Sequence, residues 1–170
     1  MPVILLSLVL TLVSCARSAN NEIPKAVCGT PVEPAITRLL VAPTEGWREY
    51  NRVDRAQSIT APCLISSGDD VILRLRFSWR TVATDLTYLA KGSGAVSGIS
   101  EPRSITSSYK TLIGTDGAIS QAPCRTKSGN YFTRTLQLPK IKPGDSDHRG
   151  DIERFMRAYF PATLRTLGCR

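Results

Sequence analysis

The sequence contains a single histidine, His148, and it has no Gly-x-Ser-x-Gly motif. A Ser-His-Asp triad would have to use His148, which lies in a polar segment that we expect to be exposed to solvent. A zinc site that combines histidine and cysteine is also disfavoured, because the cysteines fit disulfides better. The scarcity of histidine therefore argues against these classes of enzyme, and the sequence predicts no cofactor.

One acidic segment, Asp145–Asp151, partly matches a calcium-binding loop in the positions of its acids and its glycine. Arg149 occupies a ligand position, however, and Met156 stands where the loop needs a bidentate glutamate. Carboxylates are also favoured at the start of a helix, because they interact with the helix dipole. We therefore interpret the segment as a helix start, and the sequence predicts no metal site.

The apolar run at the N-terminus, Val3–Val13, is too short to span a bilayer as a helix, which takes about 20 residues. Its length is typical of the apolar core of a secretory signal peptide. The end of this run overlaps Leu12–Cys15, which resembles a bacterial lipobox. We therefore expect Cys15 to carry a lipid and to become the mature N-terminus. The alternative is plain cleavage after Ala16 or Ser18. The first route places the protein on the outer face of the cell membrane, and the second secretes it.

Two segments share a pattern in which Ala-Pro-Cys is followed, after three residues, by Ser-Gly: Ala61–Gly68 and Ala122–Gly129. A stretch of alternating apolar and polar residues follows each of them, as in a strand with one buried face. Gly-Asp or Gly-Asn between two such stretches is typical of a hairpin turn. The sequence therefore predicts two hairpins, a further strand over Tyr109–Ile113, and strand-like structure over Val82–Leu89.

Removing Cys15 from the folded part turns an odd set of five cysteines into an even set of four. An even set in an exported protein predicts disulfides. The four are Cys28, Cys63, Cys124 and Cys169. Three pairings are possible. We favour Cys28–Cys63 and Cys124–Cys169, because these would join each end of the domain to its nearer hairpin.

The last part of the chain changes to a helical period after Pro143-Gly144. One face of this predicted helix carries Ile152, Phe155, Met156, Tyr159, Phe160, Thr163 and Leu167. Gly168 is placed as its C-cap. We therefore expect an α+β fold, in which an antiparallel sheet built on two hairpins is packed by one C-terminal amphipathic helix and held by two disulfides.

The formal net charge is +8, and the arginines are unevenly distributed. The first half of the predicted domain contains Arg48, Arg52, Arg55, Arg74, Arg76 and Arg80. As a helix, Trp47–Arg55 would stack the first three on one side. Nucleic acid is not expected outside the cell, so the partner of such a surface would be an anionic lipid, an anionic wall polymer or another envelope protein. The plainer interpretation is that these arginines only keep the sheet soluble.

A hydrolase is the alternative function, because carboxylate pairs are available. Its acids would be drawn from Asp69, Asp70 and Glu49. A glycosidase needs two carboxyl groups that face each other across a cleft, and sequence spacing cannot establish that geometry. The simpler interpretation of Asp69-Asp70 is a hairpin turn, so we favour a non-enzymatic binding module.

The leader, Cys28-Gly29, the two Ala-Pro-Cys strings and Ile152–Cys169 together resemble small exported lipoproteins of actinobacteria. The resemblance implies a lipid-anchored protein of the cell envelope, and it carries over no activity or site residues. The expected organisation is a signal peptide with lipobox over residues 1–15, a tether over 16–27 and one globular domain over 28–170.

Overall fold

A computed structural model of the chain describes residues 23–41, 46–51, 59–92 and 98–169. Within these ranges the chain forms short and long strands and three helices. In chain order they are β1 (Ala26–Val27), β2 (Thr30–Pro31), α1 (Pro34–Thr37), β3 (Trp47–Asn51), β4 (Thr60–Ser67), β5 (Asp70–Arg80), α2 (Leu86–Ala90), β6 (Arg103–Ser104), β7 (Lys110–Ile113), β8 (Gly117–Thr126), β9 (Gly129–Gln137) and α3 (Arg149–Thr166). No helix among these residues is long and apolar enough to cross a membrane.

The two predicted hairpins form the centre of a seven-stranded antiparallel sheet, in the order β3-β4-β5-β9-β8-β7-β6. The first hairpin is β4–β5 and the second is β8–β9, and their return strands β5 and β9 lie side by side. This pairing puts the alternating residues of both strands on common faces, with Phe77 opposite Arg134 and Trp79 opposite Phe132. The predicted antiparallel sheet on two hairpins is confirmed.

The C-terminal helix α3 covers one face of the sheet, as its apolar period predicts. Leu167 is partly buried, and the other residues of the predicted apolar face are buried. The helix continues through Pro161 as one element to Thr166, and Gly168, whose φ is 68°, follows the C-cap residue Leu167. The N–H of Cys169 donates to the carbonyl oxygen of Leu164 at 3.0 Å, which completes a Schellman motif.

Both favoured disulfides are confirmed. Cys28–Cys63 joins the small β1–β2 hairpin to β4, and Cys124–Cys169 joins β8 to the segment that follows α3. The small hairpin also reaches α3 through its side chains, because the hydroxyl oxygens of Thr30 and Thr163 lie 3.0 Å apart. The two chain ends of the domain are therefore fastened to the same sheet.

Three expectations about local structure need correction. Ile23 and Val27 are buried in the core and β1 begins at Ala26, so the folded part extends into the segment assigned to the tether. Residues Trp47–Asn51 form the edge strand β3 and not a helix, because the edge of β4 offers backbone partners and aromatic residues suit a strand. Residues Leu86–Ala90 form a helix and not a strand, because the Asp85 carboxylate accepts a hydrogen bond from the Thr87 N–H at 2.8 Å and caps it.

The short helix α2 lies on the sheet face opposite α3. Its buried residues Leu86, Leu89 and Ala90 form a second, smaller core with Ile99 and Ile119. The sheet therefore has a thick core under α3 and a thin one under α2, and the rest of the second face is open.

One charged side chain, Arg134, is buried in the core beneath α3 at 1% exposure. Its guanidinium donates a hydrogen bond to the Tyr159 hydroxyl at 2.5 Å, and it lies 5.4 Å from the centre of that ring. The Tyr159 hydroxyl in turn donates to the carbonyl oxygen of Val27 at 3.1 Å. Arg134 Nε has no hydrogen-bond partner within the described part of the chain. This arginine joins the sheet, the helix and the small hairpin in one buried chain of polar contacts.

Candidate functional site

The central strand β5 places one row of arginines on the open face of the sheet. Its residues Leu73, Leu75, Phe77 and Trp79 are buried on the α3 side. The residues between them point the other way, because successive side chains of a strand alternate between faces. Arg74 and Arg80 are exposed, and Arg76 is partly buried.

A groove of about 280 Å³ lies beside this row, between α2 and the start of β4. Its lining combines charged, hydroxyl and apolar side chains: Ile59, Thr60, Arg76, Ser78, Trp79, Arg80, Leu89, Ile119, Thr133 and Thr135. No aspartate or glutamate is among these lining residues. The groove therefore presents guanidinium groups and hydroxyls with no acid to neutralise them.

Three hydrogen bonds hold the wall of the groove in place. The amide of Gln121, on β8, accepts a hydrogen bond from the Thr84 N–H at 3.3 Å, just ahead of α2. The same side chain donates to the Thr133 hydroxyl oxygen at 3.1 Å. The N–H of Ile99 donates to the carbonyl oxygen of Ala90 at 2.7 Å and fixes the other end of α2.

The arginines of this face have no acidic partner among the described residues. The four ion pairs found there join Lys140 to Asp70, Arg149 to Glu101, Arg154 to Asp151 and Arg157 to Glu153. All of these are away from Arg74, Arg76 and Arg80. The positive charge of the open face is therefore available to an external anion.

Of the other predicted arginines, Arg48 lies on the same face of the sheet, and the remaining two are outside the described residues. Arg48 is exposed and lies opposite Ser66 in the β3–β4 pair. Its neighbour Glu49 is on the other face of the strand. By strand alternation Arg48 belongs to the same open face as Tyr50, two strands from β5. Arg52, Arg55 and the predicted lipid attachment site Cys15 lie outside the described residues.

The carboxylates of the alternative hydrolase make structural contacts. Asp70 is paired with Lys140 at the β4–β5 turn. Glu49 accepts a hydrogen bond from the Cys28 N–H at 2.7 Å, where Cys28 has a positive φ of 51°. Asp69 lies in the hairpin turn itself, between β4 and β5. Asp69 and Asp70 therefore belong to the β4–β5 turn and its border, and Glu49, on β3, satisfies a backbone N–H.

One group of metal-type ligands occurs among the described residues, namely Cys28, Glu49 and Cys63, whose ligand atoms lie within 4.8 Å of one another. Both sulfurs are joined in a disulfide, and a thiolate is the form of cysteine that binds metals. We therefore interpret this group as the Cys28–Cys63 disulfide, with the Glu49 carboxylate accepting a hydrogen bond from the Cys28 N–H.

A second depression, of about 500 Å³ and more open than the groove, lies over β6 and β7. Its lining is largely hydroxyl side chains, with Asp85 and Lys110 supplying opposite charges. This balance of charge gives it no preference for an anion or a cation. The groove beside β5 is the better candidate for a binding site.

Sequence reasoning identified the arginines of the site but missed the rest of its lining. The hydroxyls of Thr133 and Thr135 alternate in β9 with the buried Phe132 and Leu136, and that alternation was the available signal. The apolar wall from α2 was missed because Val82–Leu89 was interpreted as a strand, although Asp85 is a helix-capping residue type. No family model, curated protein or solved structure gives a significant match to this chain.

Proposed function

We propose that the protein is an exported, non-enzymatic binding module of the cell envelope, held at the outer face of the membrane by a lipid on Cys15. Its basic open face would bind an anionic partner. The observation that carries the proposal is the row Arg74, Arg76 and Arg80, which borders an acid-free groove and has no ion pair among the described residues. The two disulfides support an extracellular location, since disulfides persist in oxidising compartments.

The three arginines of this face allow the electrostatic part of the binding free energy to be estimated. An arginine close to an anionic surface contributes about 1 kcal/mol, so three contribute about 3 kcal/mol. Such attraction is screened by salt, because the Debye length falls from about 30 Å at 0.01 M to about 3 Å at 1 M. Binding should therefore be strong at low salt and should weaken steeply as salt is added.

We expect the triple variant R74Q/R76Q/R80Q to bind an anionic surface about 100-fold more weakly than the parent protein at low salt. The measurement is binding to vesicles that contain phosphatidylglycerol and to soluble poly(glycerol phosphate), each titrated with salt. The matched control is R38Q/K142Q/R165Q, which removes the same charge from exposed positions away from this face. Equal losses in the two triple variants would show that only net charge matters, and they would refute a specific basic face.

The lipid anchor is tested at the mature N-terminus. In a bacterial host that processes lipoproteins, we expect mass spectrometry to find Cys15 as the first residue, with acyl chains attached. The C15A variant should lack that lipid. An unmodified N-terminus beyond Cys15 in the parent protein would make it a freely secreted protein.

A further inference from the structure

Three exposed apolar side chains line the groove or are close in sequence to its lining residues, and they narrow the kind of anion it would bind. Ile59 is 68% exposed, Val82 is 69% exposed and Tyr88 is 62% exposed. Ile59 lines the groove, Tyr88 precedes the lining residue Leu89 on α2, and Val82 follows the lining residue Arg80 by two positions. A patch of exposed apolar side chains beside charge is typical of an interaction surface.

We propose that the groove and this apolar rim, defined as Ile59, Val82 and Tyr88, dock the domain on an anionic phospholipid membrane. This inference rests on the proposed function and names the partner of its basic face. The guanidinium of Arg76 would bind a lipid phosphate, with Arg74 and Arg80 beside it for neighbouring headgroups. The rim would enter the boundary between headgroups and acyl chains, where aliphatic side chains and tyrosine are both accommodated.

The groove itself fits a phosphodiester with a small polar substituent. Arg76 supplies a guanidinium that can donate two parallel hydrogen bonds to phosphate oxygens. Ser78, Thr133 and Thr135 supply hydroxyls along the same wall, which suit the hydroxyls of a polyol headgroup. Leu89 and Ile119 provide an apolar part of the lining. A purely hydrophilic polymer would leave the rim without a matching group, and a phospholipid would not.

The geometry of the fold is compatible with this docking. The groove is on the sheet face opposite α3, so contact with a membrane leaves the core under α3 undisturbed. Ile59 directly precedes β4, Val82 follows the end of β5 by two residues, and Tyr88 lies on α2. The β4–β5 pairing and the Gln121 contacts hold these elements together.

The test compares vesicles with a soluble polymer that has the same phosphodiester chemistry and no acyl chains. We expect the variant I59N/Y88S to bind phosphatidylglycerol vesicles about tenfold more weakly, because two inserted apolar side chains are lost. Binding to poly(glycerol phosphate) should be unchanged. Both substituted residues are exposed, so circular dichroism should report an unchanged fold. The control is Y50S, which removes an exposed tyrosine from the same face outside the groove.

A direct measurement of insertion uses the Y88W variant with vesicles of brominated phosphatidylglycerol. The fluorescence of the introduced indole should be quenched, and the parent protein, whose tryptophans are Trp47 and Trp79, provides the background. Vesicles of phosphatidylcholine alone should cause no quenching and little binding.

The outcomes separate this inference from the function on which it rests. If the arginine variant R74Q/R76Q/R80Q loses binding to both probes while I59N/Y88S loses neither, the partner is an anionic polymer; the membrane inference is then wrong and the proposed function stands. If R74Q/R76Q/R80Q behaves like its charge-matched control on both probes, the proposed function fails and this inference fails with it. Equal binding to phosphatidylglycerol and to phosphatidylcholine, whose phosphate is balanced by a choline cation, would overturn the preference for a net anionic headgroup.

Discussion

Removing both disulfides is expected to lower the free energy of unfolding by about 8 kcal/mol. Cys28–Cys63 closes a loop with a sequence separation of 35 residues, and Cys124–Cys169 closes one of 45. Loop-closure entropy assigns about 4 kcal/mol to each. A natural domain has only about 5–15 kcal/mol of stability in total, so the reduced protein should be largely unfolded or close to it.

The measurement is guanidinium unfolding of the parent protein, of C28S/C63S, of C124S/C169S and of the variant that lacks all four cysteines. Each pair should cost about 4 kcal/mol, and the two costs should add, because the bonds join different ends of the domain to different strands. A cost below about 1 kcal/mol for either pair would show that side-chain contacts hold that end by themselves. The contact between Thr30 and Thr163 makes this outcome testable for the small hairpin.

The fold was predictable from sequence where the pattern was local and repeated. The two Ala-Pro-Cys strings mark hairpins because turn chemistry and alternation agree there. The same agreement made the disulfide pairing predictable, since each cysteine outside the hairpins has one hairpin near it in the chain. The helix α3 was predictable because its apolar period is long.

Elements that depend on tertiary neighbours were not predictable in the same way. Trp47–Asn51 becomes a strand only because the edge of β4 is available to it. Leu86–Ala90 is five residues long, too short for a period to be detected, and it is stabilised by the small core around Ile119. The order of the strands, with β5 beside β9, follows from no local signal. That order brings Arg76 next to Thr135 and so creates part of the groove.

The candidate site shows the same division. The outward arginines of β5 follow from alternation along one strand, and the sequence identified them. A groove requires walls, and its walls come from β8, β9, α2 and the start of β4, which are far apart in the chain. The apolar rim gives no sequence signal either, because isoleucine, valine and tyrosine in a chain of ordinary composition are usually assigned to the core. Their exposure emerges only from the packed structure.

Replacing Tyr159 by phenylalanine is expected to cost about 3 kcal/mol, which is large for the loss of one oxygen atom. The hydroxyl accepts a hydrogen bond from the buried Arg134 guanidinium and donates one to the Val27 carbonyl. A hydrogen bond to a charged group contributes about 1.5–3 kcal/mol, and a neutral one contributes about 1 kcal/mol. In Y159F the buried Arg134 charge loses its hydrogen-bond acceptor. Leaving a buried charge without a hydrogen-bond partner costs more than losing a neutral hydrogen bond.

Replacing Arg134 itself by methionine is expected to cost less than Y159F, although it removes more atoms. A buried charge carries a desolvation penalty, and replacing it with an apolar side chain of similar length removes that penalty together with the unpartnered Nε. In the double variant R134M/Y159F the loss of the hydroxyl should cost only the bond to Val27, about 1 kcal/mol. The coupling energy between the two positions should therefore be about 2 kcal/mol.

The four proteins of this cycle can be compared by guanidinium unfolding with the disulfides intact. Y131F is the control, because Tyr131 is partly buried on the same strand and its hydroxyl makes no hydrogen bond within the described residues; it should cost less than about 0.5 kcal/mol. If R134M proved more damaging than Y159F, the charge would be stabilising where it lies, and the polar chain from β9 to the small hairpin would be a source of stability. If R134M is the milder change, as we expect, most of the cost of Y159F comes from leaving the buried charge without its hydrogen-bond acceptor, and the Tyr159 hydroxyl is what makes the charge tolerable in the core.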